Sequence, residues 1–201
     1  MNKMNVSRNV ISEDYKFGSK RKKNWEEYCE TSYRELNSIL DLWQDPNYSA
    51  RPLTRSYYIK VFDCSLCNFT GYASEEALKN KLNGKKVVYD HCLSPQFVTR
   101  MILDNPEIYL KDYNNFKQIF WDCCSTIMVT QEENIRLSRL TENDGYYYKI
   151  HVPTHLKYNH LGINLYFRPT LKGKWKDAVP LETNIIEVPK NLIEYEKYFL
   201  V

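Results

Sequence analysis

"KKVVYDHC", Lys85 to Cys92, decides how the chain is read. Its β-branched and aromatic run predicts a short strand, and the strand ends on Asp90 and His91. A histidine near a strand is more often structural than functional, and Asp90 is also placed to cap the turn before Pro95. The pairing with Asp90 changes the balance. A carboxylate offers a hard oxygen to a divalent cation, and an imidazole is a base that titrates near neutral pH. Phosphodiester hydrolysis uses both: a cation stabilises charge on the phosphate and leaving oxygen, and the imidazole takes a proton from water.

Upstream, "SYYIKVF" (Ser56 to Phe62) carries strand formers and predicts a strand leading into the turn that holds Cys64 and Cys67. Ser74 is placed to cap a helix over "EEALKNKLN", and Gly84 to end it. Further back, Trp25, Tyr28, Cys29, Leu36, Ile39, Leu40 and Trp43 recur at the spacing of an amphipathic helix over residues 24–43, stopped by "DPN" at Asp45 to Asn47.

Downstream, Pro95 suits the first turn of a helix bearing Phe97, Val98, Met101 and Ile102, closed by Asn105-Pro106. "NFKQIFWDCC", Asn115 to Cys124, predicts the next strand. Thr130 with Glu133 matches a capping box, so a helix should start at Gln131, with Asn134 in its first or second turn. Beyond Asp144-Gly145 the pattern turns to β in "YYYKIHV", "GINLYFR" and "TNIIEV".

The chain has 201 residues, enough for one substantial folded unit with appendages. Its net charge of +3 names no partner, but the distribution says more. Residues 1–23 hold seven Lys or Arg, among them Lys20, Arg21, Lys22 and Lys23, against two acids, which suits a phosphate-seeking arm. Near the other end, "KGKWK" sets Lys174 beside Trp175, suited to a phosphate and a base or to a solvated hairpin tip. The 17 tyrosines and four tryptophans supply core area, stacking surface, or both.

No stretch approaches the roughly 20 apolar residues of a membrane span, and no apolar signal segment opens the chain, so the expectation is a cytoplasmic protein. In a reducing compartment the six cysteines suggest metal binding or plain burial before disulfides. Cys64 and Cys67 supply half of a tetrahedral zinc site, to be completed by Cys123 and Cys124 or by Cys92. Zinc and reduced, buried thiols both remain open. His151, His155 and His160 read as structural or surface residues, since Pro153 and β-like surroundings spoil helical ligand geometry. Walker-type, dinucleotide-binding and nucleophile-elbow glycine patterns are absent, which excludes nucleotide-fuelled and α/β-hydrolase chemistry.

Taken in order, "CSLC", "VVYDHCLSPQ", "YNNF" and "VTQEENIRL" resemble the HNH, or ββα-metal, endonuclease family, in particular phage-type members with a Cys-x-x-Cys before the catalytic hairpin. The resemblance spans about residues 60–140. It implies an α+β fold with a treble-clef-like ββα-metal core at 57–140. A basic arm (1–23) and a helical lead-in (24–56) precede this core, and a C-terminal β region (141–201) follows it.

The resemblance further implies that His91 is the general base and that Asp90 and Asn134 are ligands of Mg²⁺ or another divalent cation. Asn115, with Asn114 as the alternative, would orient the histidine, and Cys64, Cys67, Cys123 and Cys124 would hold a structural zinc. Two departures from the family stand out. The segment between Asn115 and Asn134 is longer than in compact members, and the second Cys-x-x-Cys is replaced by Cys123-Cys124.

The function implied is a metal-dependent DNA endonuclease acting on double-stranded or branched DNA in a phage-infected host cell, as a monomer or a homodimer. The alternative is a zinc-stabilised nucleic-acid-binding module without catalysis.

Overall fold

A computed structural model of the chain describes residues 19–45, 47, 50–64, 68–143, 148–168, 174–186 and 192. Most of the basic arm and Cys67 lie outside the described residues. The first half runs α1 (Ser19–Ser38), α2 (Leu40–Trp43), α3 (Ala50–Asp63), β1 (Asn68–Ser74), α4 (Glu75–Leu82), β2 (Val88–His91) and α5 (Pro95–Asp104). The second half runs α6 (Pro106–Tyr109), α7 (Tyr113–Cys123), β3 (Ser125–Val129), α8 (Gln131–Ser138), β4 (Thr141–Asn143), β5 (Tyr148–Ile150), α9 (Lys157–His160), β6 (Leu165–Phe167) and β7 (Val179–Pro180). The fold is α+β.

Five strands form one sheet in the order β2-β3-β1-β6-β7. β1 runs parallel to β3, and the other pairs are antiparallel. β4 and β5 form a separate antiparallel pair. In β3 the side chains alternate, as a strand requires. Ile127 and Val129 join a cluster with Leu137, Tyr158 and Leu165, whereas Met128 packs with Ala73, Ala77 and Leu78. Because β6 pairs with β1, residues beyond 141 share a sheet with the middle of the chain.

Helix signals in the sequence are realised closely. Ser74 Oγ accepts from the Ala77 amide at the start of α4, and Gly84 takes the left-handed conformation (φ +70°) just past its end. Thr130 and Glu133 exchange both bonds of the capping box at the start of α8. Pro95 opens α5, and α5 ends at Asp104, before Asn105-Pro106.

Two expected strands are helices. "SYYIKVF" belongs to α3, where Tyr57, Val61 and Cys64 are buried at helical spacing while Ile59 is 47% exposed, the reverse of what strand alternation demands. "NFKQIFWDCC" forms most of α7, with Phe116, Ile119, Phe120 and Cys123 buried at i, i+3, i+4 and i+7. Both segments are rich in strand formers, and burial of a helical stripe against α1, α5 and one another overrides that propensity. The paired strand follows one residue later, as β3. In "TNIIEV", Thr183 to Ile186 form no strand; Ile186 is anchored instead through its amide to the His155 carbonyl.

α1, α3, α5 and α7 enclose the largest apolar cluster, built around Tyr57, Phe97, Met101, Phe116 and Phe120. None of the described helices is long and apolar enough to cross a membrane.

Candidate active site

β2 lies antiparallel to β3 with Asp90 opposite Ile127 and His91 opposite Thr126. Thr130 follows β3 and caps α8, which packs back against β2. This strand-strand-helix unit is interrupted between its strands by α5, α6 and α7. Asp90, His91 and Asn134 line one cleft of about 400 Å³, together with Tyr58 and Phe62 of α3 and Lys157 of α9. Asn134 reaches it from the first turn of α8, where its main-chain N–H donates to the Thr130 carbonyl at 3.0 Å.

His91 Nδ1 lies 3.0 Å from the Cys123 carbonyl. A carbonyl only accepts, so Nδ1 carries the proton and, in the neutral ring, Nε2 keeps its lone pair. Nε2 is buried and has no hydrogen-bond partner among the described residues. An unmatched buried acceptor costs about 1–3 kcal/mol, which leaves this atom short of a donor such as water. Burial lowers the imidazole below its ordinary range; the Cys123 bond and Asp90 pull it up, and Lys157 pushes it down. The neutral, base-competent form is therefore favoured.

The Cys123 carbonyl is available because α7 ends there: the last carbonyls of a helix lack internal partners and carry the negative end of its dipole. Asn115, expected to orient the histidine, is exposed in the first turn of the same helix, eight residues or about 12 Å along its axis from Cys123. Neither Asn115 nor Asn114 lines the cleft. The group bonded to His91 is instead a main-chain carbonyl at the opposite end of α7.

Asp90 accepts two bonds on one oxygen. Lys157 Nζ is 2.6 Å from Oδ2, and the Tyr158 hydroxyl donates to the same atom. Lys157 also donates to the His91 carbonyl at 2.7 Å. Burial and the Asp90 charge hold the Tyr158 phenol well above its ordinary range, so it stays protonated and donates. Both partners come from "LKYNH", between His155 and His160. The histidines drew the eye in that stretch, yet neither they nor His151 line the cleft. A lysine and a tyrosine side by side carry no local signal; only the docking of α9 on β2 reveals them.

The oxygens of Asp90 and Asn134 are the hard donors that Mg²⁺ takes, and Mg²⁺ usually keeps several waters beside one or two protein ligands. Among the described residues, no group of three His, Cys, Asp or Glu side chains is gathered as a metal site. Cys64, Cys123 and Cys124 are all buried in the large apolar cluster. Burial raises the Cys123 thiol far above its ordinary range, an effect that the Tyr57 hydroxyl partly offsets.

Of the other expected contacts, Lys20 to Lys23 lie at the start of α1. Trp175 packs edge-on against Phe69 at 5.8 Å, with the Arg168 guanidinium 4.6 Å from its ring centre, and Lys174 is exposed beside it. Compared with known proteins, the chain matches no family model, no curated protein and no solved structure.

Proposed function

We propose that the protein is a metal-dependent DNA endonuclease of the HNH type. The observation that carries this reading is His91: one ring nitrogen is fixed by the Cys123 carbonyl, and the other is an unpaired base in a cleft shared with Asp90 and Asn134. The order of elements supports it: β2 and α8 line the cleft, and β3 joins them by pairing with β2 and leading into α8.

In this reading His91 Nε2 takes a proton from the attacking water, and the Cys123 carbonyl stabilises the imidazolium through Nδ1–H. A divalent cation held by Asp90 and Asn134 would supply charge stabilisation at the phosphate and leaving oxygen. Lys157 already engages Asp90 Oδ2, so a cation must either use the other carboxylate oxygen or displace the ammonium.

The test is cleavage of labelled DNA in Mg²⁺. His91→Ala should lower the rate by about 10²–10⁴-fold, the usual worth of a general base, while affinity for DNA stays near wild type. Wild-type protein that binds DNA without cutting it under any divalent cation would refute the proposal.

A second reading, a zinc-stabilised nucleic-acid-binding module without catalysis, is favoured by the Lys157 contact itself, since an ammonium on Asp90 already neutralises the charge a catalytic cation would need. That reading predicts bound zinc by elemental analysis and no metal-dependent cleavage.

A further inference from the structure

We propose that Tyr58 and Phe62 form a stacking ledge for an unpaired nucleobase beside the phosphate at His91, so that the substrate carries an unstacked base at the cut. The inference rests on reading the cleft as a nuclease site. α3 sets the two residues four apart, one above the other on the same helix face, with ring centres 6.0 Å apart and planes within 30° of parallel. Phe62 is 55% exposed, whereas Phe97, Phe116 and Phe120 are buried and Phe69 is partly buried. Its ring centre lies 6.4 Å from that of His91, and both aromatics line the same cleft as Asp90 and Asn134. The exposed Phe62 ring, with the half-buried Tyr58 ring beside it, offers a π-face next to His91.

Bases inside a duplex have both faces covered by their neighbours. A protein ring stacks on one only where it is unpaired, bulged or extruded. The cleft's volume of about 400 Å³ agrees, since it suits one small group and not a duplex. Stacking of this kind tolerates any base, so the ledge selects nucleic-acid structure and not sequence.

The experiment is fluorescence anisotropy with the full chain in metal-free buffer. Its probes are a fluorescein-labelled single strand, the fully paired duplex of the same sequence, and that duplex with one bulged base. Wild type should prefer the single strand and the bulge. Phe62→Ala should weaken binding to these two by roughly 5- to 150-fold, the range of one lost base stack, and change duplex binding little. The slope of log affinity against log salt should not move, because no phosphate contact is removed. Phe62→Trp should retain affinity, whereas Phe62→Leu, apolar but without a π-face, should behave as Ala; circular dichroism confirms that each variant is folded. A leucine variant that binds as wild type, or equal losses on all three probes, overturns the ledge. The binding pattern without any Mg²⁺-dependent cleavage would refute the nuclease and leave the ledge standing, and cleavage without the pattern would do the reverse.

Discussion

Two carboxylates on neighbouring elements, Glu133 at the start of α8 and Asp90 at the end of β2, are used in opposite ways. Glu133 is buried and accepts from the Thr130 amide at 2.8 Å and from Ser74 Oγ, which itself caps α4. One carboxylate thereby ties together the N-termini of two helices, and the positive ends of their dipoles favour its charge. Asp90 faces the cleft, and its partners are a lysine and a tyrosine from a distant part of the chain. Each donor to Glu133 belongs to a helix-capping motif, Thr130 three residues away and Ser74 brought in from 59 residues away. Around Asp90 they come from tertiary packing, as a lysine and a tyrosine of α9. The first arrangement joins two helix starts, and the second opens onto a cleft.

The comparison breaks most visibly at Asp90. Asp90→Asn should stop metal-dependent cleavage and, by leaving Lys157 charged and mostly buried, cost toward the lower end of the about 3–5 kcal/mol lost when a buried ion pair is split; each partner is nearly nine-tenths covered. Urea unfolding measures this. The double variant Asp90→Asn with Lys157→Met should recover most of the stability and none of the cleavage. Additive losses would show that the pair is not coupled.

Glu133→Ala should do the converse. It leaves the Thr130 amide and the Ser74 hydroxyl without their acceptor, at about 1–3 kcal/mol, and spares cleavage once the variant is assayed well below its unfolding midpoint. A large loss of rate with little loss of stability would move Glu133 into the reaction.

Cys123→Ala should cost about 1 kcal/mol, as for a small buried group removed from a core. It should leave cleavage intact, because His91 is held by the main-chain carbonyl and not by the thiol. Loss of bound zinc in this variant would favour the cysteine site expected from the sequence.

The smallest effect is on pH dependence. Burial lowers the His91 imidazole in the folded state, so between that lowered value and the ordinary value near 6.5 the unfolded chain binds more protons. In metal-free buffer, stability should therefore fall as pH drops below about 6.5, with a slope of at most about 1.4 kcal/mol per pH unit from this group. It should level off once pH passes below the folded-state value. His91→Asn should remove that contribution, and an unchanged slope would mean that His91 is not desolvated.

Part of the candidate cleft is legible in the sequence. Asp90 and His91 closed a strand in the sequence, and the Thr130–Glu133 box started the helix that brings Asn134 to the same cleft. These signals are local, since a strand end and a helix cap are set by residues within one turn of each other. The reading failed where composition and periodicity disagreed. "NFKQIFWDCC" has helical spacing of its apolar residues but the composition of a strand; it forms a helix whose far end, not the Asn115 end, meets His91.

The sequence by itself determined the α+β class, the capped starts of α4 and α8, and the pairing of an acid with an imidazole at one strand end. Each of these depends on side-chain types a few residues apart. Tertiary structure alone decided which carbonyl holds His91, that Lys157 and Tyr158 take Asp90, and that two rings of α3 flank the cleft. Those contacts join residues 29 to 68 positions apart in the chain. Such distant groups meet only because burial of the helical and sheet cores forces their elements together, and no short-range pattern records that.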